Sequence, residues 1–299
     1  LGIVIGLFLP NTDFHLNTEL FLALVIGPLL FRESEEADIT AILKHWRIIV
    51  YLIFPVIFIS TLSLGGLAHL LWFSLPLAAC LAVGAALGPT DLVAFASLSE
   101  RFSFPKRVSN ILKGEGLLND ASGLVAFQVA LTAWTTGAFS LGQASSSLIF
   151  SILGGFLIGF LTAMTNRFLH TFLLSVRATD IASELLLELS LPLVTFFLAE
   201  EVHVSGIIAV VVAGILKASR FKKITLLEAQ VDTVTETVWH TVNFMLNGSV
   251  FVILGMELEM IAEPILTNPI YNPLLLLLSL VALTFVLFAI RFVMIYGYY

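Results

Sequence analysis

At 299 residues the chain is 59% hydrophobic and only 12% charged, with a mean hydropathy of +1.03. A soluble domain is excluded, because so many apolar residues would need an interior larger than the chain can enclose. The net charge of −7 decides little, and the single cysteine, Cys80, excludes an intramolecular disulfide.

The apolar runs are long and repeated, as in a polytopic helical membrane protein, and the short alternating strands of a membrane barrel are not seen. In chain order, Leu1 to Leu9 reads as the end of a helix stopped by Pro10-Asn11, and Phe14 to Phe31 as a second apolar segment. Arg32 to Arg47 is expected to be a polar loop whose later half forms a short interfacial helix, with Trp46 at headgroup level. Ile48 to Leu64 spans. Ser74 to Leu98 spans again, broken at Gly88-Pro89-Thr90. A polar loop leads to Val108–Thr136, and an uncharged loop, TGAFSLGQASSS, precedes Leu148 to Asn166. Ala182 to Ala199 and Val204 to Lys217 form a pair joined by a polar turn at Glu200-Glu201-Val202-His203. A basic linker is expected from Ala218 to Thr237, a span from Val238 to Gly255, an acidic loop, and a last helix from Pro273 to Tyr299. The chain reads as one continuous membrane domain, residues 1–299, expected to be a fragment with its first helix cut.

If each segment crosses once, the loops alternate sides. One side then carries Arg32, Lys44, Arg47, Arg101, Lys106, Arg107, Arg167, Arg177, Lys217, Arg220, Lys222 and Lys223, and the other carries no Lys or Arg. By the positive-inside rule the basic loops are cytoplasmic, and the pattern predicts about ten spans in the cell membrane. The Lys217 to Lys223 run reads as an orientation signal beside anionic lipid.

The ionisable groups inside the apolar segments are the functional candidates, because a charge at bilayer depth is costly unless paired or hydrated. Gly88-Pro89-Thr90-Asp91 interrupts an apolar helix, and the freed backbone groups are tolerated only where they line a cavity or are buried in protein. Secondary transporters build ion sites at such breaks. Thr90 can supply a hydroxyl and a carbonyl; Asp91 supplies a carboxylate or caps the next half-helix. An ordinary proline kink is the plain alternative. Glu115 and Asn119 are i,i+4 on one helix and share a face, with Asp120 one position further round. Asp120 lies about 15–18 Å along that helix, near mid-bilayer. A desolvated carboxylate there can hold either a proton or a hard cation, the minimal chemistry of exchange. Arg291 needs a partner at depth. Glu115 lies at a compatible level, so Arg291 either pairs with it or snorkels to the inner surface. Glu188 is a weaker candidate, deep in another helix, whereas Glu184 is expected at the interface and Glu200-Glu201 with His203 in a solvated outer turn. Phosphate loops, cysteine–histidine metal spacings and nucleophile–base patterns are missing from the sequence.

At these residues a family resemblance becomes specific. GEGLLNDASGLVAF resembles the G-E-S-L-L-N-D-A signature of the bacterial-type monovalent cation:proton antiporters, and GPTDLVA resembles their S-P-T-D-P-V-A. LAEEVHVSGIIAVVVAGIL, NFMLNGSVFVILGMEL and the helix bearing Arg291 match further blocks in the same order. The resemblance implies an all-α, elevator-like exchanger with a core domain and a dimerisation domain, working as a homodimer in the lipid bilayer. Its substrates would be monovalent cations and protons; no cofactor, nucleic acid or enzymatic activity is expected. It further implies that Asp120 carries cation and proton in turn, Na⁺ being the first expectation and Li⁺ or K⁺ the alternatives. Asn119 would support the site and Thr90 would add oxygen ligands. Glu115 would pair with Arg291 as a structural bridge. The Asn119-Asp120 pair resembles the electroneutral branch. Three positions depart from the pattern. Gly116 stands where a serine is common. The glutamate of the family's P-L-L-F-E falls on Arg32, with Glu33 the nearest carboxylate. The second broken helix of the inverted repeat is expected to follow Tyr299. A cation channel and an intramembrane aspartyl protease using Asp91 and Asp120 are the rivals. The first would need polar stripes on several helices, and the second a Y-D and a G-x-G-D motif that do not surround these residues.

Overall fold

The computed structural model describes residues 2, 4–5, 17–72, 74–89, 102–136, 141–176, 180–218, 226–267 and 273–298. Of these, 39, 41, 113, 117–118, 120–121, 124, 136, 141–148, 174, 226–232, 259–267, 273 and 298 are described by backbone alone. The described residues form helices and connections, with no strand among them. In chain order the helices are α1 (Thr18–Phe21), α2 (Gly27–Glu36), α3 (Ile39–Lys44), α4 (Trp46–Tyr51), α5 (Ile57–Leu71), α6 (Leu77–Leu87), α7 (Lys106–Thr136), α8 (Leu141–Val176), α9 (Ile181–Glu201), α10 (Gly206–Ala218), α11 (Leu226–Thr267) and α12 (Pro273–Tyr298). Wider π-type turns at Leu22–Ile26 and Leu52–Val56 carry α1 into α2 and α4 into α5. The second contains Pro55, whose ring cannot be accommodated in a tight α turn and which has no N–H to donate.

Among the described residues, five helical stretches are long and apolar enough to cross a membrane: Trp46–Leu71, Ile149–Leu173, Ile181–Glu201, Thr233–Leu258 and Leu274–Gly297. Shorter apolar helices lie at Leu77–Leu87, Val125–Thr135 and Gly206–Ala218. The chain is an all-helical integral membrane protein. Several stretches expected as loops are helical. Arg32 to Glu36 continues α2, the uncharged run after Leu141 starts α8, and the acidic stretch after Gly255 continues α11. Met, Leu, Glu and Ala are strong helix formers, so a polar composition moves a helix out of the apolar layer without ending it. The 36 residues of α8 and 42 of α11 run roughly 54 and 63 Å at 1.5 Å per residue, well beyond the hydrocarbon core.

The chain folds as two compact units, residues 1–36 with 150–271 and residues 37–149 with 272–299. In the second unit, α5 and α6 pack closely at Gly65 and Gly84, where a Cβ on Gly84 would lie 2.5 Å from Thr61 O and 2.8 Å from Gly65 N. Around this contact Leu64, Ala68 and Cys80 bury with Leu283 of α12. A second cluster joins Ile49, Leu52, Ile53, Val56 and Ile57 to Ile111 of α7. In the first unit, α2, α9, α10 and α11 bury Phe31, Phe196, Val210 and Trp239. The start of α9 is capped: Asp180 Oδ1 accepts the Ser183 N–H at 2.8 Å, and Ser183 closes the reciprocal capping box.

Candidate functional site

The site grows from α7 of the second unit. Glu115 and Asn119 share one face at i,i+4, and Asn119 Nδ2 donates to Glu115 Oε1 at 2.8 Å. Both side chains are buried, Glu115 at 3% and Asn119 at 0% exposure. A bare carboxylate that deep needs a counter-charge. Arg291 of α12 brings it: Nη1 lies 3.7 Å from Glu115 Oε1. Its other terminal nitrogen, Nη2, donates to the carbonyl of Gly88.

That second contact ties the pair to the interruption read in the sequence. α6 ends at Leu87, and Gly88-Pro89 are non-helical. A helix end leaves carbonyls without intrahelical donors, and Arg291 serves the one on Gly88. α7 touches the same place, since a Cβ on Gly123 would overlap the Pro89 ring. The fork of one guanidinium thus joins a carboxylate on α7 to the end of α6. Of the two fates open to Arg291 in the sequence, its guanidinium, 19% exposed, turns inward to Glu115 and Gly88. Thr90 and Asp91 lie outside the described residues, and so does the side chain of Asp120; its backbone lies in α7, one residue beyond Asn119.

The first unit carries an ion-pair network that the sequence did not reveal. Lys217, near the C-terminus of α10, is only 9% exposed; its ammonium lies 3.2 Å from Glu35 Oε1 and also contacts Glu188 Oε1. Trp239 donates its indole N–H to the same Glu188 oxygen at 3.3 Å. Arg32 reaches Glu35 at 3.0 Å and Glu36 at 2.7 Å, with its guanidinium 5.9 Å from the Trp239 ring centre. Glu33 lies half-buried beside Arg32 on α2. The placement adjusts one expectation: Lys217, read with the run to Lys223 as an orientation signal beside anionic lipid, is in fact the counter-ion of Glu35 and Glu188. It follows the apolar run of α10 directly, and Glu188 stands in an apolar stretch of α9; those two misplaced charges were the available signal. Glu184, expected at the interface, pairs with His170 at 3.3 Å. Glu200 and Glu201, expected in a solvated turn, complete the last turn of α9, and the half-buried Glu200 accepts the Gly206 N–H through Oε1 at 3.2 Å.

The described residues are those of a helical membrane protein that holds a buried carboxylate–guanidinium pair against the end of an apolar helix. The family model for the transmembrane sodium/hydrogen exchangers matches residues 1–299, and the chain belongs to that family. It is 36% identical over 292 residues to the "Sodium, potassium, lithium and rubidium/H(+) antiporter" of Bacillus subtilis, covering 98% of this chain and 44% of that protein. The Bacillus pumilus protein of the same name is 35% identical over the same shares. The "Na(+)/H(+) antiporter NhaH" of Halobacillus aidingensis is 28% identical, across 86% of this chain and 66% of its own. The chain spans a little under half the length of the two Bacillus relatives.

Proposed function

We propose that the protein to which this chain belongs exchanges a monovalent cation for a proton across the cell membrane, electroneutrally, with Asp120 holding the two in turn. The observation that carries the reading is the Glu115–Arg291–Gly88 arrangement. It fixes the depth and rotation of α7, which carries Asp120, beside the end of α6, which Thr90 and Asp91 follow in the sequence. Glu115 is already neutralised by Arg291 and hydrogen-bonded by Asn119. The next carboxylate along the helix, Asp120, is thereby left as the group to bind cargo. Asn119, Thr90 and Asp91 complete its oxygen set. Lys217 engages Glu188 in the same way, so Glu188 acts as a scaffold residue, and Glu33 takes no part in the ion site. No cofactor enters this reading.

Family membership supports antiport, and the Bacillus relatives' names, which extend to potassium, lithium and rubidium, favour a broad alkali-cation range over strict Na⁺ selectivity. In the same reading the complete membrane domain has about ten spans over the present residues, a broken helix at Gly88–Thr90 and cytoplasmic basic loops. The unit containing α7 and α12 is the ion-carrying core, and the other is the homodimer scaffold. The test is dye-reported ΔpH dissipation in proteoliposomes of the whole protein, adding Na⁺, Li⁺, K⁺ and Rb⁺ in turn under a valinomycin clamp. Cation-driven proton movement that is insensitive to voltage and abolished by Asp120→Asn is the expected result. Exchange at wild-type rate in a folded D120N protein defeats the single-carboxylate mechanism. Voltage-driven flux without proton coupling would favour a channel.

A further inference from the structure

Between α8, α9 and α10 of the first unit lies a cavity of about 50 Å³, walled by Asn166 and Arg167 of α8, Leu191 of α9, and Leu216 and Lys217 of α10. Among the described residues no carboxylate lines it. Glu35 and Glu188 sit against the Lys217 ammonium, which has three N–H groups, one more than those two contacts take. Asn166 gives one amide N–H to Leu187 O at 3.5 Å and keeps the other. Arg167 is exposed and, among the described residues, has neither an ion pair nor a side-chain hydrogen bond. The polar part of the wall therefore presents spare donors, two of them on cations, and what it fits is an anion. About 10–15 Å³ of such space holds one water-sized group, so the cavity takes about four, the number of oxygens on a phosphate diester.

The guanidinium stands at the foot of an apolar track. On α8, Leu153, Leu157, Phe160, Met164 and Arg167 fall at i, i+4, i+7, i+11 and i+14, which at 100° per residue keeps them within a stripe about 80° wide and about 21 Å long. The four apolar side chains are 63%, 55%, 39% and 37% exposed, and Met164 also lines the cavity. Arg167 precedes the end of the Ile149–Leu173 span by six residues, about 9 Å, within reach of the polar boundary for so long a side chain. An exposed apolar face alone is ordinary lipid contact; this one ends on a guanidinium beside a cationic cavity. We propose that the cavity holds the phosphate of an anionic glycerophospholipid, with Arg167 as its fork, Asn166 and Lys217 as flanking donors, and an acyl chain along the Leu153–Met164 stripe. A guanidinium matches two phosphate oxygens at once, and basic pockets between spans take anionic head groups. The choline of a zwitterionic lipid would bring a third cation beside Arg167 and Lys217, so the site selects for net negative charge. It lies wholly in the first unit and does not depend on the antiport reading.

The test is native mass spectrometry of the whole protein, delipidated in detergent and titrated with dioleoylphosphatidylglycerol, dioleoylphosphatidylcholine or inorganic phosphate, with melting points read in parallel. Phosphatidylglycerol should bind more tightly than phosphatidylcholine and raise the melting point. Arg167→Gln should weaken phosphatidylglycerol binding about tenfold, the effect of one charge-assisted contact, and Arg167→Lys, which keeps the charge without the fork, should fall between. The lipid-free melting points of wild type and R167Q should agree, because Arg167 has no described partner to lose. Inorganic phosphate, which has no chain to lie on the stripe, should shift nothing at the same concentrations. Equal retention of phosphatidylglycerol by wild type and R167Q, or of both lipids by wild type, reduces the contact to the ordinary lipid layer and overturns the proposal. A shift from inorganic phosphate as large as that from the lipid overturns the lipid as occupant. A lower lipid-free melting point in R167Q with unchanged lipid binding makes Arg167 structural and overturns the site. If R167Q does not fold, R167K decides alone: binding at wild-type affinity overturns the fork, and weaker binding supports it.

Discussion

Removing one member of the Glu115–Arg291 pair should hurt in an order that the geometry dictates. Arg291→Gln leaves Glu115 as a buried carboxylate, its side chain 4% exposed, without the guanidinium beside it, and it takes that guanidinium from Gly88 O. Breaking a buried pair from one side costs about 3–5 kcal/mol, and an orphaned carbonyl adds about 1–3 kcal/mol. Glu115→Gln is milder. The amide oxygen still accepts from Asn119, and Arg291, its side chain 19% exposed, keeps Gly88, so a loss of about 1–3 kcal/mol is expected. The diagnostic quantity is a sign. In the R291Q background, E115Q removes a buried charge that has lost its guanidinium partner, so the double variant should be more stable than R291Q alone. Unfolding by SDS titration in mixed micelles of the four proteins gives the cycle directly. If E115Q costs the same with or without Arg291, within the ~0.5 kcal/mol expected of independent sites, the two residues do not act as a pair and the account of the site is wrong.

Lys217→Met should destabilise the first unit by roughly 3–5 kcal/mol, because Glu35 and Glu188 lose their shared cation; Glu188→Gln in the same chain should recover part of the loss, and a lower melting point for the double variant than for K217M would count against the network. Adjacent glycines separate close packing from composition: Gly65→Ala puts a methyl 2.7 Å from Leu81 Cδ2 and should cost about 1–3 kcal/mol, while Gly66→Ala meets nothing within 4 Å and should leave the melting point unchanged or slightly raised. Asp180 is held below the ordinary carboxylate range by the Ser183 hydroxyl and then by its backbone N–H. A depressed folded-state pKa stabilises above the unfolded value and loses its effect as pH falls through the folded one. The melting-point advantage of wild type over Asp180→Asn should therefore be flat from neutral pH to about pH 5 and shrink below about pH 4.

The Glu115–Arg291 contact was legible because charge inside an apolar run is costly and needs an explanation. Glu115 and Arg291 could be matched by depth alone, since each sits a countable number of residues from the end of its own helix. The contact from Arg291 to Gly88 O was not legible, because a carbonyl has no letter in the sequence. Lys217 was read as one of a basic run because its neighbours Lys222 and Lys223 are basic; what distinguishes it is Glu35, on a helix far away in the chain. Helix ends were misjudged wherever polarity was taken for a stop, as at Arg32–Glu36 and after Gly255. Polarity reports the depth of a segment, whereas ending a helix takes a backbone reason such as proline, glycine or a cap. Asp180-Ile181-Ala182-Ser183 shows the converse: the capping box there marks the start of α9 to the residue.

The two units answer the same problem with different cations, and the difference says what each site requires. Lys217 is a point charge shared by two carboxylates, a task that an ammonium performs without fixed directions. Arg291 must serve a carboxylate and a carbonyl at once, from Nη1 and Nη2, and only a planar fork holds two such acceptors on different helices in one geometry. Arg291→Lys therefore tests the joint rather than the charge. It should keep the compensation of Glu115 but lose Gly88, and so unfold between wild type and R291Q, about 1–3 kcal/mol below the former. Exchange should fall further than that stability loss accounts for, because the end of α6 beside Thr90 and Asp91 would no longer be fixed to α7. A lysine variant as stable and as active as wild type would mean that the Gly88 contact holds nothing in place, and that the pair with Glu115 alone sets the site.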